Sequence, residues 1–148
     1  MSRRKTPGPA QPAPRKRLPP VKPPVFRKKP SRQAAESWGR WAERLCVWRL
    51  RLAGWRILAR GYRMPVGEID IIARRRGILA LIEVKARSSW INAAESITPR
   101  QQRRIGQAAR LFIAQHPAHA GLDLRFDAML VVPWRLPRHL RQVWRPLE

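Results

Sequence analysis

Four side chains carry the chemistry that this sequence could perform: Glu68, Asp70, Glu83 and Lys85. Asp70 and Glu83 are separated by twelve residues, and Lys85 follows Glu83 by two. Carboxylates brought side by side repel, so one takes up a proton unless a cation comes between them. Mg²⁺ suits such a pair, because it prefers carboxylate and carbonyl oxygens and keeps several waters. A lysine on the same side can hold a metal-bound water or stabilise charge developing on a phosphorus centre. The competing interpretation is a salt-bridge ladder, with Glu68 facing Lys85 across two strands of a solvated sheet. Residue spacing leaves both open.

Position in the chain puts these residues on a hairpin. Residues 67–73 and 78–86 read as strands, joined by the short basic turn Arg74-Arg75-Arg76-Gly77. Side chains alternate along a strand, so Glu68, Asp70 and Ile72 share one face, as do Leu81, Glu83 and Lys85. A two-residue turn at Arg76-Gly77 sets residue 70 opposite 83 and residue 68 opposite 85. An even-length loop keeps the acids together and an odd one separates them.

Other elements must build the frame. Residues 34–53 read as a helix with two apolar stripes. Trp38, Trp41, Ala42, Leu45, Trp48 and Leu52 form the broad one, broken only by Arg49, and both stripes are expected to be buried. Cys46, Val47 and Leu50 form a narrow one that also holds Glu43, where a lone carboxylate needs a partner. Residues 55–62 read as a strand. Residues 98–115 form a second helix, with Thr98 as N-cap, Pro99 next and Gln101 completing a capping box. Residues 123–132 are a fourth strand and 139–145 a short edge strand. The order α-β-β-β-α-β implies an α/β fold: a mixed sheet flanked by helices, whose last main strand returns by a crossover to pair parallel.

Charge narrows the function. The 148 residues hold 32 Lys and Arg against 9 Asp and Glu, a net charge of +23. Such a balance points to a polyanion as partner. Residues 1–32 contain 11 basic residues, 9 of the 15 prolines and no acid, and are expected to form a disordered Pro-rich basic arm. Residues 33–148, the expected folded domain, keep a net charge of +12, and their only lysine is Lys85. Four of the nine acids are Glu43, Glu68, Asp70 and Glu83. No apolar run approaches the ~20 residues that span a bilayer. The single cysteine, Cys46, excludes an intramolecular disulfide, and one cysteine with three scattered histidines makes no structural zinc site. A cytoplasmic setting is expected.

Weighed singly, Trp90 in the loop after Lys85 is the best candidate for base stacking, with core capping as its alternative. His116, His119 and His139 read as surface or loop residues. Cys46 reads as a small buried apolar residue, and Asp127 with Arg125 as structural. The Arg74-Arg75-Arg76 turn is either a solvated tip or a phosphate contact beside the site.

The ordered set resembles the PD-(D/E)xK nuclease motif: Gly67-Glu68-Ile69-Asp70, then Glu83-Val84-Lys85. More narrowly, the chain resembles the YraN family of small bacterial proteins, regarded as endonucleases distantly similar to archaeal Holliday junction resolvases. Gly39, Ala42-Glu43, Gly54-Trp55, Ala86-Arg87, Thr98-Pro99-Arg100, Gln102-Arg103-Arg104, Ala108-Ala109 and Arg125-Phe126-Asp127 continue the match, which covers about residues 35–145. The resemblance implies a restriction-endonuclease-like core. It implies Asp70 and Glu83 as ligands of Mg²⁺ or Mn²⁺, with the carbonyl of Val84, and Lys85 as the catalytic lysine. Glu43 is implied as an additional catalytic acid. Arg87 and Arg104 join Arg74, Arg75 and Arg76 as candidates for nucleic-acid contact. Gln101 stands where the family often has lysine, and can bond a phosphate without adding charge. The expected function is a metal-dependent endonuclease acting on DNA rather than RNA, with branched DNA as a candidate substrate and a homodimer by analogy. The alternative is a non-catalytic nucleic-acid-binding module on the same fold.

Overall fold

In the computed structural model, residues 31–91 and 96–145 are described. The expected basic arm lies outside them as far as residue 30. Helix α1 spans Arg32–Leu52 and begins at Ser31, whose hydroxyl accepts from the Ala34 N–H. Strands β1 (Arg56–Met64), β2 (Gly67–Arg75) and β3 (Ile78–Ala86) follow as an antiparallel meander. Helix α2 (Pro99–Gln115) starts with the capping box read from Thr98 and Gln101, both of its hydrogen bonds being formed. Strand β4 (Asp123–Val131) then pairs parallel to β3, and β5 (Arg138–Trp144) pairs antiparallel to β4. The result is one mixed five-stranded sheet in the order β1-β2-β3-β4-β5, with helices packed against it.

Each helix covers one face. On the first, Ala42, Cys46, Val47 and Leu50 of α1 meet Ile71, Ala73, Ala80, Ile82, Met129 and Val131. On the second, Ile105, Ala108, Ala109 and Phe112 of α2 meet Ile69, Ile72, Leu79, Leu81 and Phe126. This corrects the expected role of the α1 tryptophans. The narrow stripe is buried together with Ala42 of the broad one, whereas Trp41 is 48% and Trp48 is 63% exposed. Small side chains bring a helix close to a sheet; indole rings at the same angle would hold it off.

A buried polar cluster ties β4 to β5. Asp127 is fully buried and accepts two bonds from Arg125, at 2.8 Å each. It also accepts from the Gln142 N–H at 2.9 Å and lies 2.7 Å from His139 Nε2. Burial alone would raise its carboxyl, but the bonds from His139, Arg125 and Gln142 outweigh it and hold the group below the usual carboxylate range. The structural reading of Asp127 with Arg125 fits this arrangement. His139, expected at the surface, is instead half-buried within it. Trp90 caps the core, packing on Ala128 and Leu130.

Candidate metal and nucleic-acid site

The hairpin closes on two residues, Arg76 and Gly77, with Arg75 opposite Ile78. Arg76 takes φ 53°, an uncommon value for a residue with a Cβ. The even-length turn sets the register as far as Ile71 opposite Ile82. Past that point a side chain replaces the ladder: the Val84 N–H donates to Asp70 Oδ2 at 2.8 Å.

Uniform alternation fails here, and no local pattern of residues marks the failure. Ile69 packs on the α2 face and Ile71 on the α1 face, although they are two residues apart. The phase slips at Asp70. On β1 the partner position, between Arg60 opposite Ile71 and Tyr62 opposite Ile69, is Gly61, with φ 58°. A glycine there lets both strands turn together without a Cβ penalty. The turn leaves Asp70 and Glu83 lining two cavities. One, about 340 Å³, also has Glu68, Arg100, Gln101, Arg104 and Ile105 in its wall. The other, about 600 Å³, has Trp38, Gly39, Glu43, Val84 and Arg87 among its lining.

Within the site, Lys85 is 6% exposed and its Nζ lies 2.8 Å from Glu83 Oε1. Glu68 pairs instead with Arg63 across β1, at 2.9 Å, so the Glu68 to Lys85 ladder does not form. Burial pushes the Asp70 carboxyl up to about 8, helped by the charge of Glu83 and opposed by the Val84 N–H bond. Burial also raises Glu43, against the lowering influence of Arg60. The Cys46 thiol, raised to about 12 by burial and then by Asp70 and Glu43, stays protonated and offers no nucleophile.

Lys85 pairs with Glu83 alone, so Asp70 has no cationic side chain bound to it and ionises only when a cation takes the place of its proton. An oxygen-only donor set of this kind suits a hard divalent cation. Among the described residues no group of three His, Cys, Asp or Glu side chains gathers around one point. Any ion held there would therefore draw on main-chain oxygen and water as well, as Mg²⁺ does.

The candidate nucleic-acid contacts fall into two groups. Arg104, Gln101 and Arg87 border the carboxylates. The Gln101 amide oxygen is committed to the helix cap, which leaves its amide N–H groups as donors. Arg100 joins them and was missed as a contact; its signal was the helical spacing to Arg104. The Arg74-Arg75-Arg76 turn is not beside the site. It stands at the other end of β2, ~17 Å along the strand from Asp70. Arg75 and Arg76 there line a small cavity of about 160 Å³ with Trp55, Arg125 and Arg141.

The fold defines the class: an α/β protein with one mixed five-stranded sheet flanked by helices. Comparison with known sequences supplies the family. The pattern of Uncharacterised protein family UPF0102 matches residues 42–131, and the chain belongs to that family, also known as YraN. A UPF0102 protein of Bradyrhizobium sp. (strain ORS 278) is 52% identical over 111 residues, covering 75% of this chain and 79% of that protein. One from Bradyrhizobium diazoefficiens is 54% identical over 111 residues, 75% of this chain and 84% of its own length. One from Parvibaculum lavamentivorans is 47% identical over 113 residues, 76% and 85% respectively. No helix among the described residues is long and apolar enough to cross a membrane.

Proposed function

We propose that this chain is a divalent-cation-dependent phosphodiesterase that cuts DNA, with branched DNA among its substrates. The observation that carries the reading is the half-buried Asp70 and Glu83 pair walled by arginines, with Glu83 bound to the domain's only lysine. Asp70 and Glu83, with the Val84 carbonyl, would hold Mg²⁺ or Mn²⁺. Such an ion supplies Lewis acidity and lowers the pKa of a bound water. The matching reaction is hydrolysis: a water oxygen bonds to phosphorus, the bond to the leaving oxygen breaks, and that oxygen gains a proton.

The chain's own groups have distinct parts in this reading. Lys85, fixed by Glu83, sets a positive charge where the phosphoryl oxygens gain negative charge. Glu43, on α1, borders the same cavity and can bond the attacking water. Arg100, Arg104 and Gln101, in the first turns of α2, orient the phosphate, and the helix dipole there favours an anion. DNA rather than RNA follows from the likeness to junction resolvases. Cutting both strands of a junction would need two copies, an argument from analogy.

Purified protein incubated with linear, flapped and four-way DNA in Mg²⁺ or Mn²⁺ tests the reading. Cleavage is expected, and both Asp70→Ala and Lys85→Ala should abolish it. Cutting that persists in the two variants refutes the assignment. A second reading, a non-catalytic nucleic-acid-binding module, is favoured because among the described residues no three His, Cys, Asp or Glu side chains converge on one point. It predicts salt-sensitive binding without cleavage, and no Asp70-dependent heat on titration with Mn²⁺.

A further inference from the structure

Helix α1 carries an apolar stripe that the fold uses only in part, since Trp38 and Leu45 pack against the core and the rest of it does not. Trp41, Trp48 and Leu52 are 48%, 63% and 79% exposed, and Leu45 lies half-buried between them. The core closes without Trp41, Trp48 and Leu52, through Ala42, Cys46, Val47 and Leu50. The stripe is aromatic and ordered: the rings of Trp38 and Trp41 stack with centroids 5.0 Å apart and planes at 24°. Trp48 follows seven residues on, ~10 Å along the axis. The stripe also leads somewhere, because Trp38 lines the cavity shared by Glu43, Asp70 and Glu83.

Charge decides what could cover it. The exposed arginines Arg40, Arg44, Arg49 and Arg51 flank the rings, while Glu36 is tied to Arg32 at 3.1 Å. A second copy would bring the same excess of arginine to the contact, in a chain of net charge +23. Residues 1–30 are themselves basic and offer no complement. A polyanion does. Within a duplex the base faces are already stacked on one another, so only unpaired bases can lie on exposed indoles.

We propose that Trp38, Trp41 and Trp48 form a stacking platform for unpaired nucleobases, which feeds a single-stranded segment to the Asp70 and Glu83 site. The platform itself is a matter of binding; its link to cleavage rests on the phosphodiesterase reading. Such a surface explains how a flap would be preferred over intact duplex, since it offers unpaired bases beside a phosphate backbone.

The test is fluorescence titration of the full chain in chelator, with a short oligothymidylate and a blunt duplex of equal charge as probes. Oligothymidylate should quench the tryptophan emission. Trp41→Ala and Trp48→Ala should each weaken its binding on the order of tenfold while sparing the duplex. Trp48→Phe, which keeps a ring, should restore most of the loss. Thermal melts of each variant check that the fold is intact. Unchanged oligothymidylate affinity overturns the platform, as does equal loss for both probes. So does sedimentation showing a dimer that Trp48→Ala dissociates without changing oligothymidylate affinity. Asp70-dependent cleavage with no tryptophan effect overturns the platform alone. Tryptophan-dependent binding without cleavage overturns the phosphodiesterase reading alone.

Discussion

Replacing Gly67 with alanine should damage this protein out of proportion to one added methyl group. Gly67 opens β2 and is buried beneath α2. A Cβ built there would stand 2.0 Å from the Arg104 carbonyl oxygen and 2.7 Å from its carbon. Ordinary contacts of this kind need more than ~3 Å, so strand and helix must part by about 1 Å, and backbone cannot rotate out of the way. Overpacking of this severity costs ~1–3 kcal/mol, which in a domain of about 110 residues lowers Tm by ~5–20 °C. The same displacement moves Arg100 and Arg104 off the carboxylates, and ~1 Å of misplacement can cost ~100-fold in rate. Gly106→Ala supplies the control. It lies within α2 with nothing inside 4 Å of the added Cβ, so it should stabilise by ~0.5–1 kcal/mol through helix propensity. Urea unfolding of both variants measures the contrast. Shifts of the same sign, or a Gly67→Ala change within ~0.5 kcal/mol of wild type, refute the reasoning.

Two further substitutions probe the buried carboxylates. Asp127→Ala leaves Arg125 and the Gln142 N–H without their acceptor and should cost ~3 kcal/mol at neutral pH, read by chemical denaturation. Because the folded pKa of Asp127 is depressed, its contribution is full above the ordinary carboxylate pKa and is lost as pH falls through the folded value; the deficit of the variant should narrow in acid. Asp70 has the opposite sign. Its folded pKa is raised to about 8, so its favourable contribution is full below the unfolded pKa and is lost as pH rises toward 8. In chelator, Asp70→Asn should therefore melt higher than wild type at pH 8 by more than ~1 kcal/mol, and the advantage should vanish near pH 4. Equal melting of the two proteins at pH 8 would contradict the burial argument.

Much of this was legible beforehand, and the misses share a cause. Element order, the parallel return of β4 and the α2 cap follow from local signals: proline, capping residues and hydrophobic period. The carboxylate and lysine set stood out because acids are scarce in this chain and lysine is scarcer still beyond residue 32. Periodicity counts apolar positions but not their volumes, so it buried the tryptophan stripe along with Cys46 and Val47, and only the smaller side chains are buried. Alternation assumes an even strand, so it missed the slip at Asp70 opposite Gly61. Arg100 and the contact of Gly67 with Arg104 depend on α2 lying across β2, which no local pattern encodes.

Chain order along the sheet bears on how the protein is made. Glu43, Glu68, Asp70, Glu83 and Lys85 all precede residue 86, while the helix that covers Ile69, Ile72, Leu79 and Leu81 begins at Pro99. During synthesis at ~5–20 residues per second, that apolar face waits a few seconds for Ile105 and Phe112 to arrive. A chain stopped after β3 would hold every charged member of the proposed catalytic set on a sheet bare on one side. The expected fate of such a fragment is aggregation, and the second half of the gene product acts on the first as its cover.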